Sequence, residues 1–264
     1  MALLCAVFIM LFISCEAKLQ LRKDINITAL FAFGDSIVDQ GNNNNLITHA
    51  KCNFLPYGKD FMGGNNPTGR FSNARTPADM LVEDFGIKKL MPAYLDSNLK
   101  VEDLKTGVSF ASGASGFDLL TPVVADLYNM GARRIWIFGL PPIGCLPSQI
   151  LRGGGPSKIC VNEYNQAARI ANTKLSNKIH SLNKKLPQIE LLYINIYDPL
   201  LDIIAKHNKY GFEDALSACC QGRNEYLLCD NVTKICENDA NYLFWDSYHL
   251  TEKGYRVLLD QISN

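Results

Sequence analysis

Short apolar runs that alternate with helix-like segments limit most strongly what this chain can fold into. Strand-like runs lie at residues 29–32, 108–111, 134–138 and 191–196, and segments with helical caps or helical apolar spacing separate them. Strands that alternate with helices form a mostly parallel sheet with helices on both faces. The sequence therefore predicts a three-layer α/β fold.

Caps and chain breakers set the expected helix boundaries. Thr76 and Pro77 are typical of an N-cap and a first helical position, and Pro187 ends a long periodic segment. The expected helices are residues 78–85, 121–130 and 161–186, a helix opened by Asp198-Pro199, and residues 252–262. Residues 218–241 are expected to form a cysteine-bearing loop.

Composition and the amino terminus limit the class of protein. The 264 residues are 47% hydrophobic, enough for one sizeable core, and 26 basic residues balance 26 acidic ones. The chain therefore lacks the net positive charge that would attract nucleic acid or an anionic membrane. Residues 1–17 resemble a secretory signal peptide and are too short for a stable span of about 20 residues. We expect a single domain at residues 18–264, secreted to the extracellular space, with an N-terminal anchor as the alternative.

Seven cysteines remain once residues 1–17 are removed, and export favours disulfides among them. Cys145 and Cys160 enclose a loop rich in glycine and proline and are the first choice of bridge. The last four cysteines, Cys219, Cys220, Cys229 and Cys236, allow two more bridges of open connectivity, which leaves Cys52 free. Zinc is the rival, but no Cys-x-x-Cys or paired histidine spacing supports it. Asn26 and Asn231 begin Asn-x-Thr acceptors for glycosylation.

Gly34-Asp35-Ser36 follows the first strand-like run, so Ser36 is expected where α/β proteins hold catalytic residues. These are also ordinary turn residues. Asp246 and His249 lie three positions apart and can face one side of a turn. A serine nucleophile needs an imidazole base and a carboxylate that orients it. The sequence predicts these roles for Ser36, His249 and Asp246; the alternatives are a solvated loop histidine and a helix-capping aspartate.

A polar run at residues 39–45 follows the serine and ends in four consecutive asparagines. Such a run contains none of the apolar residues that packing needs. We expect this run, which cannot pack, to form a loop beside the nucleophile that contacts substrate.

Four blocks, at residues 33–39, 107–113, 139–147 and 244–249, resemble in content and order those of the plant GDSL esterase/lipases, members of the SGNH hydrolases. The resemblance implies an SGNH, flavodoxin-like fold and hydrolysis of esters in acyl lipids, acylated polysaccharides or phenolic compounds. It implies Ser36, Asp246 and His249 as the triad, without metal or organic cofactor. It also implies oxyanion donors at the backbone N–H groups of Ser36 and Gly113, and a third from an asparagine in a Gly-x-Asn-Asp block.

That third block is absent from the sequence. Residues 117–130 alone separate Gly116 from Gly131, where the family has helices and a central strand, and Asn238-Asp239 lies in the late cysteine loop. The sheet is therefore expected to lack one central strand. We predict that residues 134–138 take its place beside the first strand. The alternatives to an active esterase are a catalytically silent binding glycoprotein and a misfolded truncated isoform.

Overall fold

A computed structural model describes residues 27–116, 124–155, 157–222 and 227–263. The predicted signal peptide, Asn26 and the expected helix start at Thr121 lie outside these residues. The helices are Pro77–Asp84 (α1), Val101–Thr106 (α2), Val124–Asn129 (α3), Pro147–Gly153 (α4), Asn162–Lys185 (α5), Tyr197–Ala205 (α6) and Glu252–Ser263 (α7). The strands are Arg134–Phe138 (β1), Glu190–Ile194 (β2), Asp214–Ala218 (β3) and Tyr242–Phe244 (β4).

The helices begin and end close to where caps and breakers predict. Helix α1 begins at Pro77 after Thr76, whose backbone N–H donates to the Asp79 carboxylate at 3.1 Å. Helix α5 ends at Lys185, two residues before Pro187, because proline lacks the N–H that a further turn needs. The expected boundaries of α1, α5 and α7 are confirmed to within one residue at each end.

The strands form parallel pairs, which confirms a mixed α/β fold. Strand β1 pairs with β2 in continuous register from Arg134 with Glu190 to Phe138 with Ile194. Strand β3 pairs with β4 in parallel, with one irregularity in the register. Neither β3 nor β4 was expected from the sequence, since both are short and β3 contains no β-branched residue.

The segment before Ser36 lies beside the second predicted strand. Ala32 forms a parallel bridge with Ser109, which also bridges to Ala93 on its other side. The Ala32 N–H donates to the carbonyl of Val108 at 3.1 Å, and the Phe110 N–H donates to the carbonyl of Ala32 at 2.8 Å. These two predicted strands are therefore extended and hydrogen-bonded, although the pairing is limited to isolated bridges.

The prediction that residues 134–138 take the place beside the first strand is wrong. Strand β1 pairs with β2, and the first segment pairs with residues 106–112. Buried Ile194 and the partly buried Leu192 hold β2 in the main core, and β1 is held there by its continuous pairing with β2. The two segments are separate parts of the fold.

Both segments keep one backbone edge without strand partners among the described residues. The backbone groups of Phe31 and Phe33 have no backbone partner within the described ranges. At the two ends of β1, the Arg133 carbonyl and the Gly139 N–H form hydrogen bonds with β2. In a parallel pair the residues alternate, so the backbone N–H and carbonyl groups of even-numbered residues such as Trp136 point to the other edge of β1. The side chains of Phe31 and Phe33 are 48% and 50% exposed. The described strands thus form separate short pairings, and the first segment carries two exposed aromatic side chains.

Loop 57–75 is fastened to the carboxyl-terminal part of the chain. The Ser72 hydroxyl donates to the carbonyl of Leu250 at 3.2 Å, and the Glu252 N–H donates to the Asn73 side chain at 2.9 Å. Arg75 forms an ion pair with Glu252 at 2.7 Å. These contacts hold the loop that precedes α1 against the segment that contains Asp246 and His249.

Three disulfides fix the loops around the site. Cys145 is bonded to Cys160 as predicted, and the open connectivity resolves into Cys219–Cys236 and Cys220–Cys229. Cys52 is free and buried, and burial raises the pKa of its thiol well above the ordinary value. Within the part of the chain described, no group of histidine, cysteine or acidic residues could hold a metal, and no helix has the length and hydropathy of a membrane span.

Candidate active site

Ser36 lies at the tip of a turn that Asp35 organises. The Asp35 side chain accepts the Ile37 N–H at 3.0 Å, and its carbonyl accepts the Val38 N–H at 3.3 Å. Aspartate commonly stabilises turns by accepting backbone N–H groups two residues further on. The turn leaves the Ser36 hydroxyl at the surface of the site, half-buried.

The structure brings Ser36, His249 and Asp246 together. His249 Nε2 lies 2.7 Å from Ser36 Oγ, and His249 Nδ1 lies 2.8 Å from each carboxylate oxygen of Asp246. Asp246 has no exposed surface and His249 is 4% exposed. Phe71 lies against the imidazole with ring centroids 5.1 Å apart. A hydroxyl, an imidazole and a carboxylate thus form one hydrogen-bonded path that is mostly shielded from water.

The three-residue spacing of Asp246 and His249 has a local cause. Asp246 Oδ1 accepts the N–H groups of Tyr248 and His249 at 2.9 and 2.8 Å. The carboxylate therefore closes its own turn, and the histidine that ends this turn points back at the same carboxylate. The predicted placement of both side chains on one turn agrees with this geometry.

The polar run after Ser36 forms the expected loop, but the expectation that such a run cannot pack is wrong, because most of its side chains are buried. Asn42 donates to the carbonyls of Ser109 and Ala111, both at 2.8 Å. Asn43 donates to the Gly113 carbonyl at 3.0 Å and accepts the Ser112 hydroxyl at 2.6 Å. Asparagine side chains bury well where they pair with backbone groups of irregular segments. The run joins the Ser36 turn to the segment at residues 109–113.

The N–H of Gly113, the predicted oxyanion donor, donates to Asp39 Oδ2 at 2.8 Å. A β-carbon at Gly113 would lie 2.8 Å from the Phe71 ring, so only glycine fits there. Asp39 also accepts the N–H groups of Gly41 and Asn42. Burial raises the pKa of Asp39 above its ordinary value, although its three N–H donors oppose the shift. By contrast, the Ser36 N–H has no acceptor among the described residues.

The predicted glycosylation acceptor Asn26 and the asparagines of the late cysteine loop lie away from this site or outside the described ranges. Asn238 is exposed and caps a short 3-10 turn by accepting the Ala240 N–H at 3.1 Å, so it occupies a structural position. Asn231, one of the two predicted glycosylation acceptors, is exposed. Tyr57, which the sequence reasoning missed, donates its hydroxyl to Asp246 Oδ2 at 2.8 Å. A lone tyrosine 189 residues before its partner gives no local signal.

Comparison with known proteins gives the family. The sequence pattern of the GDSL-like lipase/acylhydrolase family matches residues 114–262. The GDSL esterase/lipase EXL3 of Arabidopsis thaliana is 39% identical over 341 residues, which cover 99% of this chain and 93% of the relative. The chain belongs to the GDSL esterase/lipase family. A second member from Arabidopsis thaliana, GDSL esterase/lipase At5g42170, is 35% identical over 325 residues, 94% of this chain and 88% of the relative.

This member of the GDSL family is shorter than EXL3 within the aligned region. The alignment extends over 341 residues, and 99% of 264 residues is about 261, so about 80 aligned positions of EXL3 have no counterpart here. A deficit of this size is larger than one strand and its connections need. It agrees with an internal deletion and with the open edges of the sheet.

Proposed function

We propose that this chain is a serine esterase that hydrolyses carboxylic esters through a covalent acyl-enzyme intermediate. The roles are Ser36 as nucleophile, His249 as general base and acid, and Asp246 as the residue that orients the imidazole. The hydrogen-bonded path from Ser36 through His249 to Asp246, with distances of 2.7 and 2.8 Å, carries the proposal. Membership of the GDSL esterase/lipase family supports the reaction class.

Each step moves one proton through His249 Nε2. The imidazole takes the Ser36 proton while Oγ bonds to the ester carbonyl carbon. When the tetrahedral intermediate collapses, the C–O bond to the alcohol breaks and the imidazolium gives its proton to the departing oxygen. Water then repeats the attack on the acyl-serine: His249 takes the water proton, returns it to Ser36 Oγ, and the carboxylic acid leaves. Asp246 stabilises the imidazolium in both halves.

This site has few hydrogen-bond donors to stabilise the negative charge that develops on the carbonyl oxygen. The Ser36 N–H is available to an oxyanion, whereas the Gly113 N–H must leave Asp39 before it can donate. The family's third donor, the asparagine of the Gly-x-Asn-Asp block, is absent from the sequence. Loss of one oxyanion donor lowers turnover by about a hundred- to a thousandfold. We therefore expect a slow esterase.

Export and substrate class belong to the same proposal. A signal peptide at residues 1–17, three disulfides and exposed Asn231 support an extracellular glycoprotein. Substrates are esters of acyl lipids, acylated polysaccharides or phenolic compounds, the classes that the family accepts. The triad chemistry needs no cofactor.

Burst kinetics with p-nitrophenyl acetate test the reaction. We expect a burst of p-nitrophenolate from the purified mature chain, with an amplitude near one per active site and a slow steady state. Ser36→Ala removes the burst, and Ser217→Ala, at a half-buried serine on β3, keeps it. A burst that survives Ser36→Ala contradicts the proposal.

A catalytically silent binding glycoprotein is the second candidate. The engagement of the Gly113 N–H by Asp39 and the shortened chain favour it. A chain that unfolds in one cooperative thermal transition by circular dichroism but gives no burst would establish this alternative. A chain without such a transition would instead indicate a misfolded isoform.

A further inference from the structure

Tyr57 is a fully buried tyrosine that the proposed reaction does not use. Its ring lies edge-on to Phe54 and Phe71, with centroids 5.7 and 6.0 Å away. Phe71 in turn contacts the His249 ring. The next residue is held by the bond from the Gly58 N–H to the Ser72 carbonyl at 3.0 Å. The phenol therefore has a fixed position beside Asp246, at the far end of the hydrogen-bonded path that begins at Ser36.

The Tyr57 hydroxyl completes the hydrogen bonding of the buried carboxylate. Asp246 Oδ1 is occupied by the two N–H groups of its own turn. Asp246 Oδ2 receives the Tyr57 hydroxyl at 2.8 Å in addition to His249 Nδ1. We propose that Tyr57 is a positioning residue that fixes the rotation of the Asp246 carboxylate and so the orientation of His249. This inference rests on the proposed esterase reaction.

The Cys220–Cys229 disulfide helps to hold the Tyr57 hydroxyl in place. The Cys229 N–H donates to the phenol oxygen at 3.3 Å, and Cys229 is bonded to Cys220. The Cys220 N–H donates to the carbonyl of Trp245, the residue before Asp246, at 2.7 Å. The two bonded cysteines thus hold both the phenol and the start of the catalytic turn, and their disulfide maintains the path from Cys229 through Tyr57 to Asp246.

The chemistry of the phenol suits this role. Burial, and then the negative charge of Asp246, raise the pKa of Tyr57 well above its ordinary value. The hydroxyl therefore stays protonated and remains a donor wherever the enzyme is folded. A neutral donor orients a carboxylate and leaves its negative charge in place to stabilise the imidazolium.

Tyr57→Phe removes the hydroxyl and keeps the ring. We expect kcat to fall about tenfold with KM within about twofold, because the carboxylate is misaligned in the transition state while the substrate surface is unchanged. Tyr210→Phe is the matched control, since Tyr210 donates to Asp202 at the same 2.8 Å distance between two half-buried side chains that have no part in the proposed reaction. It should leave kcat unchanged. An unchanged kcat in a folded Tyr57→Phe variant would overturn the inference.

A spectroscopic readout separates this inference from the esterase proposal. The proton between His249 Nδ1 and Asp246 should give a downfield proton NMR resonance whether or not the chain hydrolyses esters. Tyr57→Phe should broaden or shift that resonance, and Tyr210→Phe should not. A Ser36→Ala variant loses the burst but keeps the resonance. The absence of a burst would therefore contradict the esterase proposal, whereas the resonance would still test the role of Tyr57.

One further variant covers a Tyr57→Phe chain that does not fold, and a paired change tests the disulfide when that chain does fold. Incorporation of 3-fluorotyrosine at position 57 keeps the ring and strengthens the donor, so the imidazole bond to the carboxylate weakens and the resonance moves upfield. The paired change Cys220→Ser and Cys229→Ser should lower kcat by a similar factor, and adding Tyr57→Phe to it should lower kcat little further. An unmoved resonance, or fully additive effects, would count against the inference.

Discussion

Asp39 links the nucleophile turn to the segment of Gly113 through a carboxylate without exposed surface. Its two oxygens accept N–H groups from Gly41, Asn42 and Gly113 at 2.7 to 2.8 Å. These hydrogen bonds oppose the cost of burying the carboxylate. A neutral side chain of the same size cannot form all of them, because both terminal atoms of the side chain must accept.

Asp39→Asn should destabilise the protein by about 1–3 kcal/mol, because its amide nitrogen can no longer accept one of the three N–H groups. Urea unfolding followed by circular dichroism measures the loss. Asp202→Asn, at a half-buried aspartate beside Tyr210, is the control and should cost less. Equal unfolding midpoints for Asp39→Asn and the unmodified chain would contradict the interpretation.

Two buried tyrosines predict a loss of stability at alkaline pH. Burial raises the pKa of Tyr57 and of Tyr255 above the ordinary value of 10.0. Above that pH the unfolded chain releases these protons while the folded chain keeps them. The contribution of the two tyrosines to the free energy of unfolding is therefore fully present below pH 10. Above pH 10 it falls by at most about 1.4 kcal/mol per pH unit for each tyrosine.

Urea midpoints between pH 8 and pH 11 test this slope. Tyr255→Phe should make the decline shallower, since one of the two retained protons is gone. Tyr164→Phe, at an exposed tyrosine, should leave the slope as it is. The explanation fails if Tyr255→Phe and the unmodified chain lose stability at the same rate.

At the scale of the element, an ion pair inside the fold fastens α1. Arg70 donates to both oxygens of Asp79 at 2.8 Å, and Asp79 also accepts the N–H groups of Thr76 and Met91. Arg70→Leu leaves this buried carboxylate without its cation and should cost about 3–5 kcal/mol. Arg256→Leu, which removes the more exposed ion pair with Asp84, should cost no more than about 1 kcal/mol. Similar unfolding midpoints for both variants would refute the difference.

Elements with local signals could be predicted from the sequence, and those that depend on distant partners could not. Helix α5 ends near Pro187, and Asp246 closes its own turn onto His249, so nearby residues suffice for both. Burial of the asparagine run depends on carbonyl groups about 70 residues away, for which the sequence contains no pattern. The bond from Gly113 to Asp39 spans 74 residues and was missed for the same reason.

At the scale of the whole molecule, the described strands form two separate parallel pairs, β1 with β2 and β3 with β4, and not one continuous sheet. Phe31 and Phe33 on one edge and Trp136 on the other have backbone groups without described backbone partners. The about 80 aligned positions of EXL3 without a counterpart are more than enough for a strand and its connections. We therefore expect the open strand edges and the missing third oxyanion donor to have one common origin in these absent residues.

Insertion of the EXL3 residues without a counterpart, between Leu120 and Val123, should repair both defects. We expect a higher melting temperature, because a central strand pairs with both edges, and a turnover raised about a hundred- to a thousandfold. The same insert with the asparagine of Gly-x-Asn-Asp changed to alanine should raise only the melting temperature. An insertion that changes neither quantity would rule out a common origin.

The proposed catalytic pair also has a consequence for the order of folding. Ser36 and His249 are 213 residues apart in the chain, so their contact forms only after a very long loop closes. Helices α5 and α7 depend on neighbouring residues and can form far earlier. After dilution from denaturant with the disulfides intact, helical ellipticity should therefore return before ester hydrolysis, and the delay between them would time the closure of the chain.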